Sequence, residues 1–167
     1  MIGGNLATNA GGIKFIRHNS MHANCVGLKA VLPDGRILDN MTTLRKDNTG
    51  YDLKHLFIGS EGTLGIITEC AILCPPLLTN RNLAMVACKS FDDVLSILKI
   101  AKTELSDLLQ AIEVIDNPSV QLVLDRFKDT RLPFPKNYNF YVLIEIASKE
   151  NAMSAAQEST EDSHTGG

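Results

Sequence analysis

Long apolar runs are missing from this sequence. Its apolar runs, such as residues 64–67 and 71–74, fall far short of the roughly 20 residues that a membrane-spanning helix needs. A basic surplus is missing too. The 16 Lys and Arg are outnumbered by 19 Asp and Glu, for a net charge of −3, so no broad positive field exists to hold nucleic acid or an anionic membrane. The four cysteines, Cys25, Cys70, Cys74 and Cys88, sit inside apolar segments rather than in evenly spaced loops. That placement argues against a disulfide framework and for thiols in a reducing compartment. No GxGxxG follows a strand and no GxxxxGK[ST] occurs, so neither the nicotinamide-binding fold nor a P-loop is supported. No Ser/His/Asp or Cys/His nucleophile grouping can be assembled, and there is no internal repeat. No signal peptide or Arg-rich presequence opens the chain.

What the sequence does have is glycine in two dense stretches. Gly3-Gly4-Asn5-Leu6-Ala7-Thr8-Asn9-Ala10-Gly11-Gly12 and Gly59-Ser60-Glu61-Gly62-Thr63-Leu64-Gly65-Ile66-Ile67-Thr68 hold seven of the 12 glycines. Glycine permits positive φ and lets main-chain amides approach a ligand closely. Two such stretches, each leading into an apolar run, suggest amides arranged around a phosphate-bearing cofactor. Read singly, each is as well explained by tight turns or by a bulge at a strand start. The first stretch begins almost at Met1, so the order strand, glycine loop, helix cannot be completed within it. The chain is accordingly expected to be a piece of a longer one.

Between and beyond these stretches the pattern alternates. Residues 26–32 and 36–39 flank Pro33-Asp34-Gly35 and read as a β-hairpin. A short helix is expected over 51–57 and a strand over 65–73, ending at Pro75-Pro76. After that pair, strands are expected at 83–88, 111–115 and 140–147. Ser90 should cap a helix whose apolar residues fall at 91, 94, 95, 98, 101, 105, 108 and 109, close to a 3.6 period, and 118–127 reads as a shorter helix. From residue 148 the composition turns polar and is expected to stay disordered.

Other residues invite chemistry. His18, His22 and Cys25 have a His-x3-His-x2-Cys spacing, but no fourth ligand is near, and a solvated loop explains them better than a metal. The polar run Lys46–Asp52 fits either ligand contact or a solvated face. Glu113, Asp116 and Glu145, in or just beyond apolar strands, fit acid/base groups less well than outward or edge positions.

Taken together, Gly-Gly-Asn-Leu-Ala-Thr-Asn-Ala-Gly-Gly at 3–12, Leu-Arg-Lys-Asp-Asn-Thr-Gly-Tyr-Asp-Leu at 44–53 and Leu-Phe-Ile-Gly-Ser-Glu-Gly-Thr-Leu-Gly-Ile-Ile-Thr at 56–68 resemble the FAD-binding oxidoreductases of the vanillyl-alcohol-oxidase, or PCMH, type. The resemblance covers residues 2–147. It implies an α+β fold, with 1–76 as the second part of a PCMH-type FAD-binding domain, 82–147 as the beginning of an α/β cap or substrate domain, and 148–167 as a polar tail. By the same resemblance Thr8, Asn9, Ala10 and Gly11 touch FAD. Glu61, Gly62, Thr63, Leu64, Gly65, Ile66 and Ile67 line its loop, and Gly4, Asn5 and Gly12 are neighbours. The implied activity is hydride transfer from C2 of a D-2-hydroxyacid to flavin N5, with D-2-hydroxyglutarate giving 2-oxoglutarate as the leading case and D-lactate or glycolate as the alternative. The family's first phosphate loop, its cap Arg and Lys, and the His, His and Glu that hold a divalent metal such as Zn have no counterpart here. The chain alone is therefore expected to be inactive, and no catalytic or metal-binding residue is assigned. The resemblance further implies a mitochondrial location, an electron-transfer flavoprotein as acceptor, and a homo-oligomer. A non-catalytic isoform, pairing with the full-length enzyme through an exposed strand at 140–147, is the reading from another class.

Overall fold

The computed structural model describes residues 1–149 and divides into two units, Met1–Pro76 and Leu77–Gly167. In order, the first contains helices α1 (Ile2–Ala7), α2 (Phe15–His18) and α3 (Met21–Asn24), strands β1 (Cys25–Val31) and β2 (Ile37–Asn40), helix α4 (Lys54–Phe57) and strand β3 (Ile66–Ile72). The second contains β4 (Asn80–Cys88), α5 (Phe91–Glu104), β5 (Leu109–Asp116), α6 (Asn117–Arg126) and β6 (Phe140–Ser148). Each unit has one three-stranded sheet, ordered β2-β1-β3 and β4-β6-β5, and every strand pair is antiparallel. The class is α+β.

The expected hairpin forms at Pro33-Asp34-Gly35, where Gly35 takes φ 85°, a value glycine reaches without penalty. β1 is the central strand of its sheet. With Leu6, Phe57 and Ile58 its residues Cys25, Leu28 and Ala30 make the buried core of the first unit. Two bulges break the β1–β3 register, one between Cys25 and Gly27 and one between Lys29 and Ala30. The second leaves Thr68 as an extra residue, and its hydroxyl donates to the Lys29 carbonyl at 3.3 Å.

In the second unit Cys88, Val94, Ala101, Leu109, Val142 and Ile144 form the core. α5 opens on a capping box: the Asp93 N–H donates to Ser90 Oγ at 3.2 Å, and Asp93 Oδ2 accepts from the Ser90 N–H at 2.9 Å. Asp116 Oδ1 caps α6 by accepting from the Ser119 N–H at 3.0 Å, so this acid has a structural task.

Four expectations need correction. The first glycine stretch is not a loop from its start, because Ile2–Ala7 is helical. The α5 periodicity continues to Leu109, yet the helix ends at Glu104, since Leu109 gains more from pairing with Ile146 in the sheet, where it is buried. The strand at 140–147 is not an exposed edge: β6 lies between β4 and β5, so it cannot recruit another copy. Ser148, assigned to the tail, ends β6 instead. The tail beyond Lys149 lies outside the described residues.

Candidate cofactor site

The two glycine stretches meet in the first unit, and backbone chemistry explains why. A helix leaves its last carbonyls without intrahelical partners. At the end of α1 they are taken up by the second stretch, with the Gly59 N–H donating to Leu6 O at 3.0 Å and the Glu61 N–H to Ala7 O at 2.8 Å. Leu6 is fully buried, which anchors α1 to the sheet. For the second stretch to reach those carbonyls, Gly59, Glu61 and Gly62 adopt φ 83°, 51° and 81°. Glycine at two of the three positions keeps the strain low.

Past α1, Asn9 also turns left-handed, with φ 50°. Its N–H donates to Leu6 O at 2.9 Å, and its Oδ1 accepts from the His22 N–H at 2.9 Å. The Thr8 hydroxyl turns back to Gly4 O at 3.0 Å, and the Thr63 hydroxyl to Ser60 O at 2.6 Å. These side chains stabilise their own loops.

A groove of about 480 Å³ lies between α1 and the start of β3. Ile2, Gly3, Gly4 and Ala7 form one wall, and Gly62, Gly65, Ile66 and Ile67 the other. Gly3 makes the close packing possible, since a Cβ there would stand 3.2 Å from the Ile67 carbonyl oxygen. Gly65 is needed for a different reason: its Cβ would stand 2.6 Å from Val31 O. A Cβ at Gly4 would meet nothing within 4 Å, so its side is open to the groove. Ile66 is 65% exposed there.

Of the residues assigned from sequence, Gly4, Gly62, Gly65, Ile66 and Ile67 line this groove. Ala10 and Gly12 line a separate depression of about 320 Å³ with Phe15, His18 and Pro75 among its walls. Asn5, Thr8, Asn9, Gly11, Glu61, Thr63 and Leu64 line neither. Gly11 packs on the Phe15 ring, where a Cβ would come within 3.1 Å. Sequence reasoning missed Met1, Ile2, Gly3, Ala7, Thr68, Glu69 and Cys70 as lining residues. The Thr68 bulge interrupts the alternation that would have sorted β3 into faces. Glu69 is held by Lys29 at 3.0 Å, which also pairs with Asp39 at 3.3 Å.

His22, His18 and Cys25 do not converge. Cys25 points into the core, its thiol donating to Gly27 O at 3.3 Å. Burial, and then the neighbouring Cys70, pushes that thiol above its ordinary pKa. Among the described residues no three His, Cys, Asp or Glu side chains gather as a ligand set. His22 instead stacks edge-on against His55, ring centroids 3.8 Å apart, and His55 Nε2 lies 3.5 Å from Asp52 Oδ2. Burial is the main cause that holds the His55 pKa below its usual value. In the polar run Lys46–Asp52, Asp47 accepts from the Thr49 N–H at 3.0 Å and Tyr51 is 93% exposed, as on a solvated face. No helix among the described residues is long and apolar enough to cross a membrane.

No family model matches the chain. It is 50% identical over 149 residues to the mitochondrial D-2-hydroxyglutarate dehydrogenase of Arabidopsis thaliana, a match covering 89% of this chain and 27% of that protein. It is 45% identical over 144 residues to a protein of Schizosaccharomyces pombe named as a putative mitochondrial D-lactate dehydrogenase, covering 86% of this chain and 27% of the other. Among solved structures, an alkyldihydroxyacetonephosphate synthase has a similar fold, with a TM-score of 0.67 and 22% identity, over 96% of this chain and 31% of that one. The chain thus spans about a quarter of the length of the curated relatives it matches.

Proposed function

This chain is homologous over 89% of its length to a segment of D-2-hydroxyglutarate dehydrogenases, and from that premise we propose that it forms one wall of the flavin site in an FAD-dependent D-2-hydroxyacid dehydrogenase. The substrate in this reading is D-2-hydroxyglutarate and the product 2-oxoglutarate. The observation that carries it is the groove between α1 and β3, because both glycine stretches contribute to it.

The residues present suit part of such a cofactor. The groove volume of about 480 Å³ is within the range of small-molecule sites. Ile2, Ala7, Ile66 and Ile67 offer apolar surface to a ring or ribose, and Gly4 leaves open the space a side chain would fill. Gly12 adds main-chain surface without a side chain in the neighbouring depression. Thr8, Asn9 and Ala10, whose N–H groups donate to the carbonyls of Gly4, Leu6 and Asn5, set the turn that leads out of α1 beside the groove. Asn5, Glu61, Thr63 and Leu64 support the loops around it.

When bound, FAD supplies the acceptor for the hydride leaving C2 of the hydroxyacid. The chain's own contribution is to bind and orient that cofactor and to keep water from the groove. The proton of the substrate hydroxyl falls to groups that this segment does not supply. The relatives' names support a mitochondrial location, and the family resemblance supports an electron-transfer flavoprotein as acceptor. A D-lactate dehydrogenase is the second reading, favoured by the name of the fission-yeast relative. Turnover of D-2-hydroxyglutarate, D-lactate and glycolate, compared in a polypeptide of the relatives' length that carries this segment, decides between them.

The site itself is tested by titrating FAD into the nitrogen-15-labelled chain. Amide shifts concentrated in residues 2–12 and 59–70 are expected, without dye-coupled turnover of D-2-hydroxyglutarate by the chain alone. No shift in those amides at about 1 mM FAD, a concentration that detects even weak binding, would overturn the reading. Turnover by the isolated chain would overturn the division of labour.

A further inference from the structure

Two half-buried imidazoles meet inside the first unit. The ring of His22, from α3, stands 3.8 Å centroid to centroid from the ring of His55, from α4, at an interplanar angle of 64°. Each histidine is tied to one of the glycine stretches. On the α3 side, the His22 N–H donates to Asn9 Oδ1 at 2.9 Å and the Met21 N–H to Ala10 O at 3.1 Å. On the α4 side, the chain runs from His55 through buried Phe57 and Ile58 into Gly59, whose N–H donates to Leu6 O at 3.0 Å. The circuit closes at Asn9, because a Cβ on Gly59 would stand 3.5 Å from the Asn9 Cβ. α3, the first stretch, the second stretch and α4 thus form a ring of contacts. The imidazole pair is the link in that ring that changes charge near neutral pH.

We propose that the His22–His55 pair is a pH-operated latch, which holds α3 to α4 and the two glycine stretches together while it is neutral and parts them when both rings are protonated. Two positive rings in contact repel, and partial burial strengthens the repulsion by lowering the local dielectric. The neighbouring groups do not cancel it. Burial is the largest influence on His55 and opposes its charge, Asp52 favours the charge, and His22 and Lys54 oppose it. The Asp52 carboxylate is shared, since the oxygen 3.5 Å from His55 Nε2 also pairs with the Lys54 ammonium. From β1, against which α4 packs, Cys25 offers only a thiol whose pKa burial raises. α1, which packs on α3, has no ionisable side chain. The closed state is therefore complete above the ordinary imidazole value of 6.5 and is lost as pH falls through the lower value that His55 has within it. Resting on the flavin reading of the groove, the same latch regulates that site, because α1 and the second stretch are its walls.

A pH series on the nitrogen-15-labelled chain, from about pH 8 to about pH 5, tests the latch without any flavin. The amides of residues 8–12, 21–24 and 59–62 should shift together, following the ring resonances of His55. Amides that stay still, or that move apart from those resonances, overturn the proposal in the native chain alone. His22→Gln and His55→Gln each remove one of the two charges, and either should abolish the common transition; thermal melts at about pH 7.5 establish that the variants fold. A transition that survives in His22→Gln would mean that burial of His55 acts by itself, and overturns the latch. Asn9→Gly keeps the left-handed backbone without penalty and removes the oxygen that accepts the His22 N–H. It should release residues 8–12 from the transition while 59–62 still follow it; no release overturns the circuit. FAD affinity should fall about fivefold or more between about pH 7.5 and about pH 5.5 in the native chain and in neither glutamine variant. Equal affinity at the two pH values would sever the latch from the groove. FAD that fails to bind even at the higher pH would remove the flavin reading and leave the latch to the amide transition.

Discussion

Gly65 and Gly4 line the same groove and should respond oppositely to a methyl group. At Gly65 a Cβ would stand 2.6 Å from Val31 O, a backbone atom of the central strand that cannot swing aside. Gly65→Ala should cost about 1–3 kcal/mol, the usual scale of overpacking, read as a lower urea midpoint. At Gly4 nothing lies within 4 Å, and alanine in a helix interior is favoured over glycine by about 0.5–1 kcal/mol. Gly4→Ala should leave the fold intact or steadier while weakening the amide shifts caused by FAD. Loss of folding in Gly4→Ala would show that its glycine serves the scaffold rather than the groove. The His22–His55 contact gives a third expectation at this scale. With the rings 3.8 Å apart and His55 held below its ordinary value of 6.5, first by burial, the fold favours the neutral imidazole. That contribution is complete above the ordinary value and is lost as pH falls through the depressed one. The urea midpoint of the first unit should therefore drop on acidification below about pH 6.5, and His55→Gln should flatten the drop. An unchanged slope in that variant would assign the acid sensitivity elsewhere.

Elements were legible where local signals and burial agreed. The Pro33-Asp34-Gly35 turn, the β-branched run of β3 and the Ser90 cap each carry their own mechanism, and each appears close to its expected place. α1 was not legible, because glycine at two of its six positions argues against a helix and its terminal partners come from residues more than fifty positions away. The end of α5 was hidden for another reason: Leu105, Leu108 and Leu109 fit the helical period, but only the tertiary pairing of Leu109 with β6 stops the helix. Strand order lies beyond local pattern altogether, so β6 could not be recognised as central. The groove was half legible, since glycine marked its walls while the bulge at Thr68 concealed the rest. The capping box offers a direct measure of how much a local signal is worth. Ser90→Ala removes the oxygen that accepts the Asp93 N–H and should cost about 1 kcal/mol of stability in the second unit. Hydrogen bonds from Ser90 hold the Asp93 carboxyl below its usual range. The box should therefore persist until strongly acid pH and fail as pH falls through that depressed value. Equal melting of native and Ser90→Ala chains at neutral pH would show that packing alone sets the start of α5.

At the scale of the whole molecule, the described residues form two cores with no residue in common. Leu6, Leu28 and Phe57 belong to one, and Val94, Val142 and Ile144 to the other. Leu28 and Val142 are both completely buried, on the central strands of their sheets. Truncating a buried leucine to alanine costs about 2–5 kcal/mol, because the cavity adds to the lost transfer energy, and a buried valine, which loses one carbon fewer, costs toward the lower end. Total stability for a domain of this size is about 5–15 kcal/mol, so either truncation should move its unit far toward opening. Cooperative units open as wholes and report themselves in amide exchange. Leu28→Ala should accelerate exchange throughout β1, β2 and β3, and Val142→Ala throughout β4, β5 and β6, each leaving the other sheet's protection nearly unchanged. Equal loss of protection in both sheets from either substitution would mean one cooperative fold. Confined loss would mean that each unit settles its backbone and its core within its own sequence.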